Sequence, residues 1–479
     1  MLLLWDDLLD LKSFISYIII IMIIMNEEKF VGREDVLEWL EGLYREKASL
    51  AVIYGRRRVG KTELVKRFAS GKPHVYFLAT EKPDLQNMKD LQGQMALFLE
   101  EEVFNKIEFG SWEDLFVEFM KKARGKIIII LDEFPYLIGK NKAIPSIFQK
   151  IWDLNLSKKE VCLILLGSSI GMMETHVLNY RSPLYGRRSG QWELKPLPFK
   201  NIKEFYPEHR FEDRLKFFGF TGGIAGYLKQ INFSKSPEWN IANLVFKKGS
   251  YLYEEAETLL RQELREPSSY FQILQAISEG CTKYGEICNR TGFKTSKASQ
   301  YIKNLINLRI VKKSFPVTQK KTSRYAIYRL SDNYYKFWFA FVYPNRSLIE
   351  DGKQAILLNV IQDKMKKHES FVFEEVCAEF LWKAYPVQFT NLGGWWEKDK
   401  EIDLVGINEK TKDILFVECK WSENVDADKI LIGLKEKAGS VDWNKSARKE
   451  YFCVIAKSFI KKPKTDNCFF FDLGDMKGF

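Results

Sequence analysis

The stretch Leu50–Thr62, LAVIYGRRRVGKT, decides the fold. Its first five residues are apolar and rich in β-branched side chains, the pattern of a strand buried on both faces of a parallel sheet. The next eight, Gly55-Arg56-Arg57-Arg58-Val59-Gly60-Lys61-Thr62, have the spacing of a phosphate-binding loop. Gly55 and Gly60 let the backbone curl so that successive N–H groups point at phosphate oxygens. Lys61 supplies a point charge to the β- and γ-phosphates, and the Thr62 hydroxyl is placed to hold Mg²⁺. In the following ELVKRFAS, Leu64, Val65 and Phe68 recur at helical spacing. Strand, loop and helix therefore come in the order that binding of a nucleoside triphosphate requires.

Downstream, Lys126–Glu133 (KIIIILDE) is a second buried strand ending in two acids. Asp132 is placed to hold Mg²⁺ through water, and Glu133 to orient and polarise the attacking water, so the pair points to hydrolysis as well as binding. A third apolar strand, Val161–Leu166, ends in Gly167-Ser168-Ser169. Ser168 or Ser169 can sense a γ-phosphate there, or the three residues can be a plain turn. Arg187 and Arg188, in SPLYGRRSG, are candidates for stabilising transition-state charge, in cis or across the subunit interface of a homo-oligomer. The alternative is an ordinary surface pair.

FVGRED, GRRRVGKTEL, IIIILDEFPYL, LILLGSSIGMME and SPLYGRRSG together resemble the archaeal ATPase family, a P-loop group close to AAA+ and STAND NTPases. The resemblance runs from about Phe30 to the C-terminus. It implies ATP as the nucleotide, a helical lid after the core, an adenine pocket near Phe30 to Arg33 and a restriction-endonuclease-like tail. Relatives often carry proline in the lid motif where Ala225 stands in Gly222-Gly223-Ile224-Ala225-Gly226-Tyr227.

Past the lid, Tyr270–Ser278, Tyr284–Asn289 and Thr295–Asn307 read as helices, and Arg309–Val311 and Arg324–Leu330 as a β-ribbon, which is winged-helix order. Lys294, Lys297 and Lys303 fall near the third helix, and Lys312, Lys313, Lys320, Lys321 and Arg324 on or beside the ribbon. These fit phosphate contacts with DNA, with Ser296 or Gln300 facing base edges. A winged helix that docks protein is the alternative.

Near the C-terminus, Glu401–Asn408 and Ile414–Trp421 read as two strands joined by a polar turn. With the turn centred between Lys410 and Thr411, Asp403 lies opposite Glu418 and shares its face with Lys420. Two carboxylates so close call for a cation. Mg²⁺ or Mn²⁺ between Asp403 and Glu418, with Lys420 beside a scissile phosphate, would make a nuclease site of the PD-(D/E)xK pattern, with Glu374 as an extra ligand. The other reading is a cross-strand salt-bridge cluster.

Hydrophobic residues at 46% and charged residues at 29% exclude a disordered or multi-span membrane chain. The 74 basic against 63 acidic residues leave a charge of +11, which permits nucleic acid without selecting it. Seven scattered cysteines and four dispersed histidines predict no zinc site and fit a reducing, cytoplasmic setting. Phe14–Met25 (FISYIIIIMIIM) is too short for a membrane span. It reads as a weak anchor, an extra hydrophobic helix or, preferred here, translated sequence ahead of a start at Met25. The expected fold class is α/β, divided into a hydrophobic extension (1–25), a P-loop ATPase core (26–195), a helical lid (196–265), a winged helix (266–332) and a nuclease-like domain with a helical lead-in (333–479).

Overall fold

Alternation along three apolar strands builds the first layer of the protein. In the computed structural model, which describes residues 30–264, 266–319, 325–384 and 386–479, β1 (Ala48–Tyr54), β2 (His74–Leu78), β3 (Ile127–Asp132), β4 (Val161–Gly167) and β5 (Gly190–Glu193) form a five-stranded parallel sheet ordered β2-β3-β4-β1-β5. Leu50, Val52, Ile127, Ile129, Leu163 and Leu165 point into one core, and Ala51, Ile53, Ile128, Ile130, Ile164 and Leu166 into another. Both faces are covered by helices, and that is why β1, β3 and β4 show continuous apolar runs and no polar alternation. The expected strands are all present, and the loop after β1 runs into the helix Lys61–Ala69.

Helices follow the sheet: Phe211–Thr221, Ala225–Leu228, Pro237–Leu244 and Tyr251–Glu263. Gly223 makes the turn between the first two. Its φ is +71°, and a Cβ there would sit 2.1 Å from the carbonyl oxygen of Leu197, so no side chain fits. Three more helices, Pro267–Ser278, Tyr284–Thr291 and Thr295–Asn307, precede an antiparallel hairpin of β6 (Val311–Ser314) and β7 (Ile327–Leu330), with Val311 paired to Leu330. Lys320, Lys321, Arg324 and the run Phe14–Met25 lie outside the described residues.

A 31-residue helix, Gln354–Ala384, leads into a mixed sheet. There β8 (Asn391–Glu397), β9 (Lys400–Ile407) and β10 (Asp413–Lys420) are antiparallel neighbours. A short pair, β11 (Val425–Asp426) with β13 (Phe459–Lys461), flanks the sheet; β12 (Lys449–Ala456) and β14 (Cys468–Phe471) complete it in parallel, in the order β14-β12-β10-β9-β8. One hydrophobic cluster runs from Leu197 to Phe479 through the helices, the hairpin and the inner face of this sheet. Among the described residues no helix is long and apolar enough to cross a membrane.

Candidate functional site

The phosphate-binding loop is held by its neighbours before any ligand arrives. Gly55 has a φ of +153°, and a Cβ on it would lie 2.3 Å from the Leu194 carbonyl oxygen, so the loop starts by passing tightly under the end of β5. The loop forms one wall of a cavity of ≈ 420 Å³, whose lining includes Val59, Gly60, Lys61 and Thr62. Phe30, Val31 and Arg33, where the adenine pocket is expected, line the same cavity. Arg33 is buried and donates to the carbonyls of Val59 (3.0 Å) and Lys195 (2.9 Å), bracing the loop against the chain beyond β5. Its own burial pulls its pKa down to about 10.

Lys61 donates to the carbonyls of Gly55 (2.9 Å) and Arg56 (3.1 Å). Burial lowers its pKa to about 8, against the pull of Glu133 and Asp132. Thr62 Oγ1 donates to Asp132 Oδ2 at 2.7 Å, and the Tyr76 hydroxyl donates to the same oxygen at 2.8 Å. Glu133 follows in the left-handed region at φ 53°, a costly backbone for a residue with a side chain. Its Oε2 accepts from the Ser168 amide (3.2 Å) and hydroxyl (2.7 Å). Loop, β3 end and β4 end thus converge.

The arginines divide. Arg57 and Arg58 line the cavity, whereas Arg56 does not. Arg56 turns away from the cavity to a mostly buried ion pair with Asp332 and stacks 4.2 Å from the centre of the Tyr335 ring. Arg57 donates to the Tyr136 hydroxyl at 3.0 Å. Arg58 forks onto Glu255, with Nη2 to Oε2 at 2.8 Å, and covers Tyr251. Arg187 and Arg188 are also absent from the lining. Arg187 bonds Asp153 at 2.9 Å, because the chain entering β5 faces the helix Ile144–Leu154 there. Arg188 pairs with the side chain of Gln191. Glu255 lines the cavity, while Tyr76 bonds Asp132 and Glu263 bonds Ser169 from outside the lining, and none of the three carried a local sequence signal.

On the helix Thr295–Asn307 the side chains of Ser296, Lys297, Gln300 and Lys303 are exposed, as is Lys294 just before it. Lys297 lies 4.8 Å from the ring centre of Phe293. Lys312, half exposed on the hairpin, has Glu375 at 3.9 Å. Glu375 comes from the long helix Gln354–Ala384, and the hairpin also leans on the mixed sheet. Val317 N donates to Gly394 O at 3.0 Å, Trp396 Nε1 to Tyr325 O at 2.9 Å, and Arg329 bonds Glu401 at 3.3 Å.

The β9–β10 register runs from Ile414 with Ile407 to Val417 with Leu404, which brings Asp403 opposite Glu418 as the turn predicts. Asp403 Oδ2 accepts the Cys419 amide at 2.7 Å. Burial first, then Glu418, raises the Asp403 pKa to about 6. Glu374, on the long helix, is pushed to about 8 by burial and by Asp403. Glu418 accepts from Lys420 at 2.7 Å and from Lys437 at 3.0 Å. Lys437 was not anticipated; it comes from the helix Ala427–Ala438, which packs on the sheet. Two ammonium groups therefore lie against Glu418. Among the described residues no cluster of three or more acidic, histidine or cysteine side chains is gathered for a metal.

Residues 30–231 match a family described as an ATPase domain predominantly from Archaea, and residues 338–430 match a family of archaeal and bacterial proteins of unknown function. An uncharacterized protein of Methanocaldococcus jannaschii is 38% identical over 458 residues, covering 93% of this chain and 99% of its own. Among solved structures, a Walker-type ATPase of Pyrococcus abyssi is similar over 65% of this chain and 97% of its own, at 21% identity and a TM-score of 0.47. The Aeropyrum pernix ORC2 protein, in ADPNP–ADP complexes, is similar over 69% and 98%, at 14% identity and a TM-score of 0.47. With its loop, Asp132 and Glu133 inside the matched ATPase domain and a relative alike over nearly its whole length, this chain belongs to the archaeal ATPase family.

Proposed function

We propose that the protein hydrolyses ATP and that its nucleotide state controls how its rear helices engage DNA. The contact of Thr62 with Asp132, beside Glu133, carries this reading. A hydroxyl and a carboxylate 2.7 Å apart at a phosphate loop are hard oxygen donors that fit Mg²⁺. Mg²⁺ held there supplies charge neutralisation at the β- and γ-phosphates. Lys61 exchanges its loop carbonyls for phosphate oxygens, and Glu133, released from Ser168, holds the water in line and takes its proton. In pure protein, Lys61→Ala should abolish ATP turnover. Glu133→Gln should keep nucleotide binding and lower turnover by about 10²-fold or more. Full turnover in Lys61→Ala would overturn the assignment.

For DNA, the support is the helix–helix–helix–hairpin order of a winged helix with Lys294, Lys297 and Lys303 exposed together. The tail keeps the acidic pair of a nuclease-like hairpin, but its donors as placed do not fit a divalent cation. Glu418 is satisfied by Lys420 and Lys437, and Asp403 by the Cys419 amide. This favours a regulatory ATPase whose tail does not cut, and no cleavage step is derived. Plasmid and linear DNA incubated with Mg²⁺ or Mn²⁺, with and without ATP, should be bound and left intact. Cleavage that disappears in Asp403→Ala would restore the nuclease reading.

A further inference from the structure

A third carboxylate, which the hydrolysis scheme does not use, acts on Lys61 by its charge. Glu263 is the last residue of the helix Tyr251–Glu263, and its Oε2 accepts the Ser169 hydroxyl at 3.1 Å. Ser169 adjoins Ser168, which holds Glu133, so the tip of β4 carries the two glutamates side by side. Burial above all raises the pKa of Glu263, and the charges of Arg57, Glu133 and Lys61 also bear on it. The same helix crosses the cavity: Glu255 clamps Arg58, and Thr258, Leu259 and Gln262 are in the lining.

We propose that Glu263 sets the preference of the site between ATP and ADP, as a lid-borne negative charge at the γ-phosphate end. The proposal rests on the ATP-site reading above. In that reading the attacked phosphorus lies beside Glu133, and Glu263 shares the β4 tip with it. A triphosphate therefore brings its outermost negative charge against Glu263, and a diphosphate, which stops one phosphate earlier along the loop, does not. ATP must break the Ser169–Glu263 bond and displace the end of the helix. ADP leaves that bond in place. Because Arg58 is tied to Glu255 on the same helix, the displacement is felt by the loop as well as by the lid. A like charge a few ångströms away at a partly solvated site is worth about a tenfold change in affinity.

The test is calorimetric titration of the full chain with Mg²⁺ and either AMP-PNP or ADP. Glu263→Gln should bind AMP-PNP about tenfold more tightly than wild type, with ADP affinity changed less than about twofold. Glu263→Asp, which keeps the charge, should stay near the wild-type ratio. If Glu263→Gln does not melt cooperatively, Glu263→Ala reads the same ratio. Equal changes for both nucleotides, no change, or weaker AMP-PNP binding would overturn the role of Glu263 alone. A wild-type chain that binds neither nucleotide, like Lys61→Ala, would overturn the ATP-site reading and this one with it.

Discussion

At the scale of single residues, His368 shows how burial sets a proton. Its Nε2 donates to the Gly219 carbonyl at 2.9 Å, and its ring meets Phe337 and Phe341 edge-on. Burial lowers its pKa from 6.5 to about 4, against the hydrogen bond to Gly219. Between those values the unfolded chain holds a proton that the folded chain refuses. The stabilising contribution is complete above pH 6.5 and is lost as pH falls toward 4, amounting to up to about 3 kcal/mol. His368→Gln, which can still donate to Gly219, should flatten that part of the acid dependence. The measurement is the urea midpoint of variant minus wild type across pH 4 to 7, so that the opposite contributions of Asp403 and Glu374 cancel. An unchanged slope would refute the neutral, buried imidazole.

At the scale of elements, the helix Thr295–Asn307 and the β6–β7 hairpin have been assigned different work by their surroundings. Ala298, Ile302 and Leu305 are buried and leave the lysine face outward. The hairpin, leaning on β8 and β9, has its Lys312 and Arg329 beside Glu375 and Glu401. DNA contact should therefore come mainly from the helix. Replacing Lys294, Lys297 and Lys303 by serine should weaken binding to any duplex. It should also lower the slope of log affinity against log salt by roughly 3, while Lys312→Ser changes it little. Fluorescence anisotropy across a salt series reads both, and equal effects of the two sets would refute the division.

For the whole molecule, the decisive link is Arg56 to Asp332. It joins the loop that meets phosphate to the start of the helix Asn333–Phe337, where Asp332 also accepts the Tyr335 amide at 2.9 Å. Because that helix packs against Phe211–Thr221 and shares the core from Leu197 to Phe479, disturbing the pair disturbs the rear of the protein as one body. Asp332→Ala leaves the mostly buried Arg56 charge without its partner and removes a helix cap. We expect a loss of about 3 kcal/mol. In urea the midpoint followed by tryptophan fluorescence should fall with little change in slope. An unfolding free energy within about 0.3 kcal/mol of wild type would show the link to be idle.

What the sequence by itself determined is what a dozen neighbouring residues can encode. Runs such as IIIIL name a strand covered on both faces, GRRRVGKT names a loop that curls around phosphate, and a turn centred between Lys410 and Thr411 sets which residues of β9 and β10 face each other. These follow from backbone period and local hydrogen-bond geometry. Only the tertiary structure decided which charges meet. Arg56 finds Asp332 across 276 residues, Glu418 finds Lys437, Ser169 finds Glu263, and Arg187 turns to Asp153 and away from the cavity. No spacing encodes those pairs, because a side chain's partner is set by how helices and sheets pack their apolar faces, and packing draws on residues from the whole length of the chain.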